Sequence, residues 1–186
     1  MENLTRVGLL GLAFGMLGTT TGGIIGSLIK INSPKFLGFI LEFAGGLMTA
    51  IICFDLIPDA LNLSNISITL IGIIIGIISM IFCDNVIKST NKIKTTNKLF
   101  KTGIIVFLGL TIHNFPEGLA IGSGFSASES LGLSLAIAIC IHDIPEGISI
   151  ALPLKKGGMN ALKAIIITAI SGITTGIGAF ARKSNF

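Results

Sequence analysis

The amino-acid sequence predicts an all-α fold, a polytopic transmembrane helix bundle of about six helices, and three observations carry that expectation. Of 186 residues, 51% are hydrophobic and 12% are charged, against about 25% charged in a soluble domain, and the mean hydropathy is +0.91. The apolar residues fall in blocks of roughly 17 to 25, the length at which a helix rising 1.5 Å per residue crosses a hydrocarbon core about 30 Å thick. The chain has 24 glycines and neither Trp nor Tyr, which fits poorly with an outer-membrane barrel and its aromatic girdles.

Each block gives one expected span. The first, residues 7–29, follows Glu2 and Arg6; it is too long for a signal-peptide core and no convincing cleavage site follows, so it is expected to remain as a helix. The second, 36–57, carries Met48 and Asp55, with Asp59 just beyond it. The third, 66–87, is rich in isoleucine, the fourth and fifth, 102–125 and 131–154, hold both histidines of the chain, and the sixth covers 164–180. Residues 88–101 are rich in Lys, Thr and Asn without apolar periodicity, and read as the longest linker, a mobile one. The whole chain, 1–186, is expected to form a single transmembrane domain.

The connections alternate in charge, and that alternation predicts an orientation. Lys30 and Lys35 follow the first block, Lys88, Lys92, Lys94, Lys98 and Lys101 the third, and Lys155, Lys156 and Lys163 the fifth. By the positive-inside rule these ten of thirteen basic residues, and with them the 88–101 linker, face the cytoplasm. Arg6, Arg182, Lys183 and the N-terminus then lie outside the plasma membrane. The net charge of +4 is accounted for by orientation, and no nucleic-acid partner is expected. Cys53, Cys83 and Cys140 are far apart and form no CxxC pair, so they read as small buried hydrophobes. Small-xxx-small pairs at Gly11 and Gly15, Gly18 and Gly22, Gly22 and Gly26, Gly72 and Gly76, and Gly172 and Gly176 predict close helix packing.

Two polar motifs interrupt the apolar blocks near their centres. His113-Asn114-Phe115-Pro116-Glu117-Gly118 and His142-Asp143-Ile144-Pro145-Glu146-Gly147 lie 29 residues apart, and five of the nine positions starting at each histidine are identical. Because the two spans run in opposite directions, this is a short inverted repeat, an arrangement that places a shared site near the bilayer midplane. In each motif His and Glu stand at i and i+4, on one helix face with β-carbons about 5 to 6 Å apart, so one divalent cation can bridge them. Pro116 and Pro145 each remove a backbone donor and crowd the carbonyls of Ile112 and Ile141, leaving carbonyl oxygen beside the carboxylates. Asn114 and Asp143 project about 100° around the helix from the histidines, room for a second, adjacent cation site with Glu117 and Glu146 between the two.

An ionised carboxylate at the bilayer centre costs about 2.5 to 3.5 kcal/mol on insertion scales. Glu117, Asp143 and Glu146, with no intramembrane Lys or Arg, therefore call for a cation. Two rivals stand beside this reading: carboxyls kept protonated or hydrogen-bonded between helices, and a proton relay without metal. Imidazole with carboxylate suits zinc, iron or manganese, and the lack of a thiolate set argues against copper(I). Met48, Asp55 and Asp59 are spaced by seven and four and share a helix face. The acids would mark a pathway entrance at the outer mouth, drawing cations toward the soft thioether of Met48, although Asp59 alone is adequately read as interfacial. Glu42 reads as a snorkelling residue, and Asp84 as half of a helix-end ion pair with Lys88.

HNFPEGLAIG (113–122) and HDIPEGISIALPL (142–154) resemble the fourth and fifth helices of the ZIP (Zrt-, Irt-like) divalent metal transporters, and GGLMTAIICFDLIPDAL (45–61) is similar to their second. The resemblance implies import of zinc, or of iron or manganese, into the cytosol. It implies a transported-ion site of His113, His142, Glu117 and Glu146 with Met48 nearby, and a second site in which Asn114 and Asp143 join the same glutamates. The divalent metal would be cargo in a protein surrounded by lipid, with no prosthetic group and no catalytic residue. Two departures qualify it. Family members have eight helices in a three, two, three arrangement, whereas this sequence ends after a sixth span, so the expectation is an incomplete copy, marginally stable and with weak or no uptake when alone, whose sixth helix a homodimer or partner subunit would cover. Where the family often shows Ser-Gly-x-x-Glu-Pro in that helix, Ser171, Gly172, Ile173 and Thr174 are followed by Thr175 and Gly176, so the second site lacks a carboxylate. The linker has no histidine to sense metal. The rivals from other classes are a non-transporting membrane subunit and an intramembrane zinc hydrolase, the latter opposed by the absence of HExxH and its general base.

Overall fold

The computed structural model describes residues 2–28, 52–89 and 97–184, with single positions 33, 35, 36, 39, 42, 43, 46, 49 and 50 between the first two stretches. Met48, Lys30 and most of the expected second span lie outside the described residues, as do 90–96 and the side chains of Asp55, Cys83, Asp84, Arg182 and Lys183. Every regular element among the described residues is helical: α1 (Glu2–Leu28), α2 (Ile57–Leu63), α3 (Ile66–Ser89), α4 (Lys98–Ala127), α5 (Glu129–Lys156), α6 (Ala161–Ser171) and α7 (Ile173–Ser184). Among the described residues four stretches are long and apolar enough to cross a membrane, namely Thr5–Leu28, Lys98–Ala127, Glu129–Lys156 and Ala161–Ala181, the last running through both α6 and α7. The fold is an all-α membrane bundle.

Local chemistry explains the helix ends. The side chain of Asn97 accepts hydrogen bonds from the backbone N–H groups of Leu99 (3.0 Å) and Phe100 (3.3 Å) and so starts α4. Ser128 caps α5 through Leu131 N–H (3.1 Å), and Asn160 caps α6 through Leu162 N–H (2.8 Å). The 88–101 linker is therefore shorter than expected: Lys88 and Ser89 belong to α3, and Lys98 to Lys101 form the first turn of α4. Apolar periodicity alone could not show a helix that begins on its cap rather than on its first hydrophobic residue. Before α2, Ile52–Leu56 forms a π-helical turn, just where Pro58 cannot donate to the carbonyl of Phe54. At the far end of α5 the chain turns through Gly158, whose φ of 99° only glycine adopts readily.

Glycine decides which helices meet. α1 lies along α5 on one side and α6 and α7 on the other. A β-carbon on Gly15 would stand 2.6 Å from Thr175 Cβ, one on Gly22 2.8 Å from Gly147 Cα, and one on Gly176 2.7 Å from Leu12 Cβ. These contacts allow backbones to approach closely where lipid supplies no hydrophobic drive. The expected pair Gly72 and Gly76 is different, for nothing among the described residues comes within 4 Å of either position. Both sit on α3, which among the described elements touches α2 and α4 alone and exposes isoleucine nearly all round. Cys53 is likewise exposed rather than buried, and Cys140 is half-buried.

Two apolar clusters bracket the centre of the bundle. Val7, Ile121, Ala136, Ile139 and Ala179 pack together toward the α4–α5 turn, and Ile150, Ala151, Leu154 and Ala164 toward the other end. Arg6 pairs with Glu129 at the first end; at the second, Lys155 Nζ donates to the carbonyl of Ser27 and Asn97 Nδ2 to that of Gly157 (3.0 Å). The polar motifs lie between the clusters.

Candidate metal centre

α4 and α5 are antiparallel, joined by the single residue Ser128, and this brings positions 113–117 level with 142–146. Both helices continue through Pro116 and Pro145. His142 Nε2 stands 3.0 Å from Glu146 Oε1 on its own helix and 3.5 Å from Glu117 Oε1 across the interface. His113 Nε2 lies 3.7 Å from Glu117 Oε1 and 4.0 Å from Glu146 Oε1. One ligand atom from each of the four residues falls within 4.8 Å of all the others. The side chains of Glu117 and His142 are 3% and 5% exposed and that of His113 is 35% exposed, so the cluster is closed on most sides and open past His113. Neither oxygen of Glu117 accepts a hydrogen bond from an N–H or hydroxyl group among the described residues, so its ionised form is costly unless a cation sits against it.

Behind this cluster lies a second polar layer. Asn114 and Asp143 are fully buried, and the Asp143 carboxyl adjoins those of Glu117 and Glu146. Among the described residues no N–H or hydroxyl group donates to either Asp143 oxygen or to Asn114 Oδ1, and Thr175 Oγ1 makes no hydrogen bond. The Asn114 amide instead donates from Nδ2 to the carbonyl of Ser171 (3.1 Å). The sequence reading missed this contribution of α6 and α7; the signal available was the run of Thr168, Ser171, Thr174 and Thr175 at helical spacing in an apolar span.

The remaining expected site residues stand apart. Asp59 is half-buried and lines a cleft of about 450 Å³ with Asn62, Leu131, Ser128, Ser130 and Ser134, at the end where Arg6 meets Glu129. Met48 and the side chain of Asp55 lie outside the described residues.

The family described as ZIP Zinc transporter matches residues 88–181. The chain belongs to the ZIP family. It is 34% identical over 170 residues to the zinc transporter ZupT of Salmonella paratyphi A and 32% identical over 171 residues to ZupT of an Enterobacter species, alignments that cover 86% of this chain and 66% of each relative. The zinc transporter GufA of Myxococcus xanthus is 42% identical over 81 residues, 43% of this chain and 32% of that protein. This ZIP chain thus spans about two thirds, or less, of the length of these relatives. Both polar motifs lie inside the segment that the family match covers.

Proposed function

We propose that this ZIP chain carries divalent metal cations, zinc first, across the plasma membrane into the cytosol, and that His113, Glu117, His142 and Glu146 form the site through which they pass. The observation that carries this reading is the convergence of four nitrogen and oxygen donors from two antiparallel helices. A tetrahedral zinc ion with bonds of 2.0 to 2.1 Å has ligand atoms about 3.3 Å apart along its edges. The four His to Glu separations, 3.0, 3.5, 3.7 and 4.0 Å, bracket that value. A proton relay needs groups in file, whereas these surround one point.

Asn114 and Asp143 complete a second, adjacent cation position with the same glutamates, and Met48 offers a thioether from the second span. Asp59 and Asp55 form the entrance. Orientation follows from charge: Lys98, Lys101, Lys155, Lys156 and Lys163 gather at one end of the bundle and face the cytoplasm, so Asp59 and the N-terminus face outward. The relatives are named as zinc transporters, which supports transport rather than hydrolysis as the role. Radiolabelled zinc uptake in cells making this chain tests the reading. Saturable uptake that Glu117→Gln with Glu146→Gln abolishes is expected; uptake no higher than in control cells would overturn it.

A further inference from the structure

The sixth span is broken. The helical ladder stops at Ser171 and resumes at Ile173, with the N–H of Gly172 folded back onto the carbonyl of Ala169 at 3.2 Å. The break leaves the Ser171 carbonyl to donors from outside the ladder. It takes two: Nδ2 of Asn114 at 3.1 Å and the hydroxyl of Thr174 at 2.8 Å. The same hydroxyl lies 2.8 Å from the carbonyl of Thr111 on α4. A hydroxyl has one hydrogen, so Thr174 bridges the two carbonyls with a single donor and ties α7 to the turn of α4 just before His113 and Asn114.

This matters for the amide because its two ends are not equivalent. With Nδ2 committed to Ser171, the oxygen of Asn114 turns away from that carbonyl, and it is fully buried without a partner. Rotating the amide by half a turn would bring its oxygen against the Ser171 carbonyl, acceptor to acceptor. We infer that Thr174 is a positioning residue: by holding the break at Ser171 against α4, it keeps the Asn114 amide in the one orientation that presents Oδ1 as a ligand. This rests on the reading of the centre as a cation site. The hydrogen bonds of the Thr174 hydroxyl run to backbone carbonyls, those of Thr111 and Ser171.

Zinc titration calorimetry on the full chain in detergent tests it. Thr174→Val, which keeps the shape and removes the donor, should weaken zinc binding about fivefold, as loss of one buried hydrogen bond that orients a ligand implies, while Thr174→Ser should stay within about twofold of the wild type. Because Thr174 acts through Asn114, Thr174→Val should cost nothing further in an Asn114→Ala background. Unchanged affinity in the valine variant, equal losses in the valine and serine variants, or additive losses in the double variant would each overturn the inference. Slow solvent exchange of the Asn114 side-chain amide protons in the wild type, read by NMR, is expected too, and rapid exchange would overturn it without needing any variant to fold. A wild-type chain that binds no zinc would sink the functional reading and this inference together, whereas wild-type binding with an indifferent valine variant sinks this inference alone.

Discussion

Nε2 of His142 on α5 stands 3.5 Å from Oε1 of Glu117 on α4. The pair is made across a helix interface, so the donor cluster exists only when α4 and α5 are packed. An ion held there would bind the folded bundle and not the separated helices, and binding of that kind stabilises by mass action. Zinc in excess should therefore raise the melting temperature of the purified chain, and Glu117→Gln with Glu146→Gln should remove that rise and weaken zinc affinity about a hundredfold or more, since each charged ligand contributes roughly 1.5 to 3 kcal/mol. Calorimetry showing unchanged affinity in the double variant would exclude the site.

Acid should compete with metal. Imidazole ligates only when the ligating nitrogen is unprotonated, and carboxylate only when ionised, so metal binding releases protons. The sign is then set: zinc affinity falls as pH drops from 7 to 5. A titration series that stays flat across that range would speak against histidine ligation.

The glycine contacts make a stability prediction with an internal control. Gly22→Val puts new atoms where a β-carbon alone would already stand 2.8 Å from Gly147 Cα, and should destabilise the bundle by about 1 to 3 kcal/mol, the cost of overpacking. Gly76→Ala meets nothing within 4 Å among the described residues and should be neutral or stabilising by up to about 1 kcal/mol through helix propensity. Thermal melts followed by circular dichroism would rank the two; equal losses would mean that α1 does not pack on α5 as described.

The contrast between Gly22 and Gly76 also marks what was legible in the sequence. The helices were, because lipid demands long uninterrupted apolar blocks, and so were the four donors, because His and Glu at i and i+4 share a face wherever a helix forms. Which glycines pack was not legible: 11, 15, 18, 22 and 26 look no different in sequence from 72 and 76, and only the neighbours of α1 and α3 separate them. Nor was the break at Gly172, where Ile173, Thr174 and Thr175 read as an unremarkable continuation. Asn114 was picked out by its place after His113, but its partner Ser171 lies 57 residues away, beyond any local pattern.

Topology can be read with an impermeant thiol reagent on intact cells. In a background without native cysteines, Ser130→Cys, near the Arg6 and Glu129 pair, should be labelled from outside, and Lys156→Cys only after the membrane is permeabilised. The opposite pattern would invert the assigned orientation.

Asp59 should govern capture rather than passage. Asp59→Asn removes the one carboxylate among the described residues that line the cleft near the Arg6–Glu129 pair, and at low ionic strength should raise the KM for zinc uptake about fivefold or less, as roughly 1 kcal/mol of attraction implies, with the maximal rate unchanged. A lowered maximal rate at unaltered KM would place Asp59 elsewhere in the cycle.

The glycine faces of α1 carry a consequence for biosynthesis. Gly18, Gly22 and Gly26 are made to receive α5, and Gly11 and Gly15 to receive α7, yet α1 leaves the ribosome more than a hundred residues before either partner. Until then those narrow faces lack the helices that fill them, and lipid supplies no hydrophobic drive in their place. Final assembly is thus deferred until α5 and α7 are inserted on its two sides, and a nascent chain arrested before α5 would offer a membrane quality-control protease an unpaired helix.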